Sequence, residues 1–450
     1  MYNVRDLGAP DDGRSKATDA VQRAIDECHG SGGGTVYLPP GRYLCGTIAM
    51  SGDVSLHLDA GAILLASGDP SDYPEQPVLV GARGAERVSI QGRGIIDGQT
   101  TGDLGRRPGH EDERMPSFRT RLVMFEECRN VRIRDVTMRN SDAWTLHLYR
   151  CEDAVVDGVT ILNNFYRTNT DGINPDSCRN VRIANCNILG GDDCICLKAR
   201  DGHPCEDIVV TNCNTESIAT AIKLGTESSA DFRNILITNC TVRNSTVGLG
   251  IYVKDGGTVE RVVFSNISIE TLANPLDVNA PRLRHAIYPV FLDVERRTDS
   301  SPTGRIRDVI LRDIHIHSDN GILVQGMRES PIEDLTLENI SFRVAKGFDY
   351  SDRVKHAGGR ANPNDDRISL YARKPSYATL ANVRGFRVSN LQVMIDEGVF
   401  REYGRSALAI HDCSEGVLRD VGRWPEPGDA GRAEPAVRVQ GGQGIRHQDA

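Results

Sequence analysis

The sequence predicts an all-β chain wound as a right-handed parallel β-helix with an N-terminal helical cap. Three observations carry that prediction. A short phrase recurs, as in Asn180-Val-Arg-Ile-Ala-Asn-Cys, Asp207-Ile-Val-Val-Thr-Asn-Cys and Asn234-Ile-Leu-Ile-Thr-Asn-Cys. Its last residues Val159, Cys186, Cys213, Cys240 and Ile267 stand 27 residues apart. Within each phrase apolar and polar residues alternate, the period of a half-buried strand. Glycine is also abundant, 45 in 450 residues, above the usual ~7% and in keeping with many tight bends. A unit of this length holds three short strands with their turns, one coil of a β-solenoid. Leucine-rich repeats need leucines at fixed offsets that are missing here, and propeller blades are longer.

The elements follow in chain order. Ala20, Val21, Ala24, Ile25 and Cys28 fall at helical spacing, with Thr18 or Asp19 as the cap, and this helix covers the raw edge of the first coil. Gly32-Gly-Gly-Thr-Val-Tyr-Leu-Pro-Pro-Gly reads as turn, strand and turn. Cys186, Cys213 and Cys240 are expected to line one interior row of small buried residues. Asn185, Asn212, Asn239, Asn266 and Asn339, each one residue earlier, suit left-handed corners and can bond from coil to coil. The wider intervals, 47 residues to Ile314 and 51 from Ile340 to Leu391, mark coils with long insertions, the first carrying His285 and Tyr288 as candidate cleft wall. One domain is expected over residues 1–421, with a loosely ordered tail over 422–450, rich in Pro, Gly and Arg.

Composition narrows the function. The formal charge is −9 and the pI about 5.7, which argues against a nucleic-acid partner. No run approaches the ~18 apolar residues of a membrane span. The N-terminus lacks a basic-then-apolar leader pattern, so a cytoplasmic location is expected, with the twelve cysteines reduced. Neither a cofactor nor a metal is expected, since no paired C-x-x-C motifs are present.

Chemistry concentrates in Asn169-Thr-Asp-Gly-Ile-Asn-Pro-Asp and Gly190-Gly-Asp-Asp-Cys-Ile-Cys-Leu-Lys. Asp171 precedes Asp192 and Asp193 by 21 and 22 residues, close to one coil, so all three acids can share a patch. Crowded carboxylates push their pKa values apart, which suits acid–base catalysis. Asp and Asn beside Gly also build ordinary turns. The acids here, however, sit among apolar strand residues, with Lys198, Lys223 and Lys254 on the coils that follow.

At these residues the chain resembles glycoside hydrolase family 28, the polygalacturonase family. Leu7-Gly-Ala-Pro-Asp-Asp-Gly with Gly32 to Tyr43 resembles the opening of pectin-degrading β-helix enzymes. Asn169-Thr-Asp-Gly, Gly191-Asp-Asp-Cys-Ile and Asp142-Ala-Trp-Thr-Leu-His resemble the family's motifs, and the likeness covers roughly residues 1 to 400. The resemblance implies an inverting hydrolase in which Asp192 is the general acid, Asp171 and Asp193 hold and activate water, and Asn169 orients sugar or water. Inversion needs acid and base ~6.5–9.5 Å apart, which a diagonal across coils ~4.8 Å apart can supply.

Two signatures depart from the pattern. Thr220 stands where the family has histidine, and Tyr252, in Tyr252-Val-Lys254, stands where it has arginine. Tyrosine cannot grip a sugar carboxylate in bidentate fashion. Lys223 and Glu227 are candidate replacements, or plain exposed strand residues. Lys254 and Arg167 are candidates for meeting an acidic or hydroxylated ring. Trp144 and His147 lie about one coil before the acids, where Trp144 suits sugar stacking or the core equally. The expected function is hydrolysis of a pectin-like or related oligo- or polysaccharide, galacturonan or rhamnogalacturonan in type, by exo-action. The alternatives are a polysaccharide lyase or uronan epimerase on the same scaffold, and a non-catalytic carbohydrate-binding β-helix.

Overall fold

The computed structural model describes residues 1–100, 102, 118–165, 167–271, 288–318, 320–344, 376–396, 405–424 and 435–448. The strands pair in parallel, each with its counterpart one coil away. Glu152–Asp157 pairs with Arg179–Ala184, and that strand with Cys205–Thr211, each time at a step of 27 residues. The fold is the right-handed parallel β-helix expected from the repeat. The described residues group into two compact units, Met1–Lys198 with His203–Thr215, and Ala199–Gly202 with Glu216–Ala450.

In the first unit the helix Thr18–Gly30 buries the five residues expected, Ala20, Val21, Ala24, Ile25 and Cys28. Its cap differs from expectation. The N-cap is Ala17, which makes no side-chain cap bond, while Thr18 Oγ1 accepts from the Gly46 amide at 3.0 Å. The threonine hydroxyl therefore ties the helix to a neighbouring turn instead of to its own first turn. Asn185 and Asn212 occupy left-handed corners (φ 58° and 53°), a conformation asparagine tolerates better than most residues. Asn212 Nδ2 reaches Asn185 Oδ1 at 3.4 Å, and Asn185 in turn donates to Asp157 at 2.7 Å. Cys186 and Cys213 are buried, each thiol donating to the carbonyl two residues before it at 3.2 Å. A second buried row, Cys128, Cys151, Cys178 and Cys205, runs along the same unit. None of the twelve cysteines is in a disulfide.

In the second unit the same devices recur. Phe232–Arg243 pairs with Thr258–Thr271 at the 27-residue step. Asn239 and Asn266 are left-handed, and Asn266 donates to Asn239 at 2.7 Å. Asn390 donates to Asn339 at 3.1 Å. The wide intervals are single coils: Ile267 lies opposite Ile314, and Ile340 opposite Leu391. Residues 272–287, with His285, and 345–375 lie outside the described residues. Tyr288 opens the strand Tyr288–Val294. Of the segment 422–450, residues 425–434 and 449–450 lie outside the described residues. Leu408–Trp424 runs past residue 422, and Val437–Gln443 adds to it in parallel. The alternation in Val437-Arg-Val-Gln is enough to continue a ladder that the preceding strand already presents.

Candidate active site

The coil that carries the acids is short. Ile173 lies opposite Ile195, and Asp176 opposite Lys198, a step of 22 residues where neighbouring strands step by 27. The Gly172 amide donates to the Asp193 carbonyl at 2.9 Å, bringing Asp171 beside Asp193. Two glycines permit the approach: a Cβ at Gly172 would stand 2.5 Å from the Cys194 oxygen, and one at Gly191 would stand 2.1 Å from the Asn164 oxygen. Asn174, Asp176, Cys196 and Lys198 alternate with core residues Ile173, Ile195 and Leu197, so they occupy the sheet face turned away from the core. Asp171 bonds to this outward set.

Asp171 and Asp193 are each 3% exposed. Asn174 Nδ2 donates to Asp171 Oδ2 at 2.8 Å, and Lys198 Nζ stands 3.8 Å from the same oxygen. Burial, followed by the charge of Asp192, pushes the Asp171 carboxyl up to about 7; Asp193 adds to the rise, while Lys198 and Asn174 oppose it. Asp192 is held by two amides, with Asn169 N–H donating to Oδ2 at 2.9 Å and Asp193 N–H to Oδ1 at 3.1 Å. Ligand atoms of Asp171, Asp193 and Cys196 lie within 4.8 Å of one another, a group that can hold a cation, although the Lys198 ammonium already brings a positive charge to its edge.

Trp144 packs over this floor. Its ring has the Lys198 ammonium at 4.6 Å, the Arg121 guanidinium at 5.2 Å, and the His147 ring edge-on at 4.8 Å. His147 Nε2 lies 3.0 Å from Asp176 Oδ2, and both side chains are essentially buried. A third layer holds Asn169. Arg119 Nη1 donates to Asn169 Oδ1 at 3.1 Å, and its Nη2 to the Thr168 carbonyl. Arg119 Nε and Arg167 Nε point to the same Asp142 Oδ1, at 3.4 and 2.7 Å. Burial pulls the Arg119 guanidinium below its ordinary pKa, against the charges of Asp142 and Asp192.

The first unit thus gathers Asp171, Asp192, Asp193, Asn169, Lys198, Trp144, His147 and Arg167. The remaining candidates belong to the second unit. There Thr220 Oγ1 lies 3.3 Å from the Tyr252 hydroxyl, and Lys223 Nζ lies 5.0 Å from the Tyr252 ring. That ring lies over Gly250, where a Cβ would stand 2.4 Å from its Cε2, and packs on Phe291 at 4.9 Å. Lys254 is ion-paired with Glu295, itself 6% exposed. Glu227 is half-buried near the end of the strand Thr220–Ser228. Sequence reasoning does not single out Asn174, Cys196, Glu295 or Arg119. Asn174 and Cys196 sit inside the motif segments and were within reach. Arg119 lies 50 residues before Asn169 with no local pattern to mark it.

The parallel β-helix brings Asp171, Asp192 and Asp193 together on adjacent coils. The chain belongs to glycosyl hydrolases family 28, whose model matches residues 28–358. A probable polygalacturonase of Vitis vinifera is 34% identical over 212 residues, 43% of this chain and 43% of that protein. The structure of a hyperthermoactive exopolygalacturonase from Thermotoga maritima superposes with a TM-score of 0.65 at 22% identity, covering 76% of this chain and 86% of that one. A family 28 exopolygalacturonase from Yersinia enterocolitica gives 0.66 at 17%, covering 99% and 78%. At these identities the two structures bear on the fold. The chain spans about half the length of the curated polygalacturonases it matches, 43% of the Vitis protein and 48% of an exopolygalacturonase of Zea mays.

Proposed function

We propose that the protein hydrolyses a glycosidic bond of a pectin-like saccharide, galacturonan or rhamnogalacturonan in type, with inversion at the anomeric carbon. Asp192 protonates the leaving oxygen. Asp171 and Asp193 hold a water on the opposite face of the sugar and take its proton as its oxygen bonds to the anomeric carbon. The glycosidic bond breaks, and the proton lost by Asp192 is matched by the one gained on the base pair. The observation that carries this reading is the 22-residue step that sets Asp171 beside Asp193, with Asp192 fixed by the Asn169 amide. Exo-action is part of the proposal, supported by the insertions and by the name of the Zea mays relative. So is a cytoplasmic location, supported by twelve cysteines without a disulfide.

The test is incubation with oligogalacturonides and with rhamnogalacturonan, following new reducing ends and ultraviolet absorbance together. Reducing ends without absorbance, removed one terminal unit at a time, are expected. Asp192→Asn should lower the rate by about 10²–10⁴-fold. Unsaturated, absorbing products would replace the hydrolase with a lyase, and sugar binding without any cleavage would leave a binding protein.

A further inference from the structure

We propose that Asp171, Asp193, Cys196 and Asn174 form an inhibitory site for a thiophilic divalent cation of the zinc class, which stops hydrolysis when it binds. The site stands on these side chains alone, and the inhibition rests on the hydrolase reading of Asp171 and Asp193.

Cys196 differs from the cysteine rows of the core. Cys128, Cys151, Cys178, Cys186 and Cys213 each donate their thiol to backbone carbonyls. Cys196 lies on the outward face of its strand, and its sulfur and a carboxylate oxygen from each of Asp171 and Asp193 lie within 4.8 Å of one another. Among the described residues this is the one group of three or more His, Cys, Asp or Glu side chains brought so close.

Asn174 gives an independent sign of a ligand. Ile173 lies opposite Ile195 and Asp176 opposite Lys198, which puts Asn174 across from Cys196. Its side chain is fully buried, and Nδ2 donates to Asp171 Oδ2 at 2.8 Å, while Oδ1 has no donor. A buried amide oxygen left so costs about 1–3 kcal/mol, and a cation at the cluster would relieve it.

Two carboxylate oxygens, a sulfur and an amide oxygen make the four-atom set that zinc takes in tetrahedral geometry. Zinc–ligand bonds of ~2.0–2.3 Å hold such atoms about 3.5 Å apart, so the side chains would close in by about 1 Å. Magnesium and calcium take oxygen ligands and gain nothing from the thiol. Binding releases the thiol proton to solvent, with that of Asp171 when it carries one. Lys198 Nζ, 3.8 Å from Asp171 Oδ2, competes with the cation and limits its affinity. A filled site withdraws both carboxylates proposed to hold the water.

The experiment is titration calorimetry of Zn²⁺ and Mg²⁺, and ultraviolet absorbance with Cd²⁺, on the full chain. One Zn²⁺ should bind per chain, Mg²⁺ should not bind, and Cd²⁺ should give the charge-transfer absorbance of a single thiolate. Cys196→Ala should abolish that absorbance and weaken Zn²⁺ by at least about 10-fold, and Asn174→Leu should weaken it by about threefold or more. If Cys196→Ala does not fold, Cys196→Ser decides in its place. No Zn²⁺ binding, binding that survives either substitution unchanged, or Mg²⁺ binding as tightly as Zn²⁺ overturns the site. In cleavage of oligogalacturonides, Zn²⁺ should inhibit over the concentration range of its binding, and a chelator should restore the rate. Cleavage at full rate with the site filled overturns the inhibition. Cys196-dependent Zn²⁺ binding in a protein that cleaves no glycan removes the hydrolase reading and keeps the site. Cleavage by a protein that binds no Zn²⁺ does the reverse.

Discussion

Lys198 Nζ stands 3.8 Å from Asp171 Oδ2, the same oxygen that takes the Asn174 amide at 2.8 Å. One oxygen of the candidate base thus takes one amide hydrogen bond and lies within ion-pair distance of a buried ammonium.

That arrangement sets a pH dependence. With the Asp171 carboxyl at about 7, a base role for it places the acid limb of kcat/KM near pH 7, with the rate rising as pH increases. Lys198→Met removes a cation that favours the ionised form, and Asn174→Leu removes a donor to it, so each should move the limb upward. For Lys198→Met the move should be about one pH unit or more. Rate profiles of the three proteins check this. A limb in the ordinary carboxylate range, insensitive to both changes, would assign the base to Asp193 alone.

The same group affects stability. Its folded value of about 7 lies above the ordinary 3.8 expected when unfolded, so between these values the folded chain binds more protons. The contribution is intact below pH 3.8 and is lost as pH rises towards 7. Asp171→Asn removes the penalty. Thermal melts should show the variant level with the parent near pH 4 and more stable at pH 8, by up to about 4 kcal/mol. A constant gap across that range would mean that Asp171 does not carry the strain of the site.

The corner asparagines give a purely structural prediction. Asn266, at φ 53°, donates to Asn239 at 2.7 Å. Asn266→Ala forces a Cβ without a compensating bond into the left-handed region and should cost about 1–2 kcal/mol. Asn266→Gly should recover part of that, because glycine accepts the conformation. Denaturant midpoints of the three proteins measure the order parent, glycine, alanine.

Much of this was legible in the sequence because a solenoid repeats its constraints. The 27-residue period, the cysteine rows at Cys186 and Cys213, and the left-handed asparagines all follow from one coil copied many times. The spacing of Asp171 and Asp193 foretold their meeting for the same reason. Arg119 was not legible, since it enters from a segment 50 residues away and marks no repeat position. Nor was the Lys254–Glu295 pair, because Glu295 follows the long insertion and its register depends on where that insertion ends. The cap at Ala17 escaped because the Thr18 hydroxyl has a better partner in Gly46.

Proton NMR of the first product released from an oligosaccharide substrate tests the central claim most directly. The newly formed reducing end should carry the anomeric configuration opposite to that of the bond cleaved, before mutarotation mixes the two forms. A first product that keeps the original configuration would contradict a water held by Asp171 and Asp193 across from Asp192.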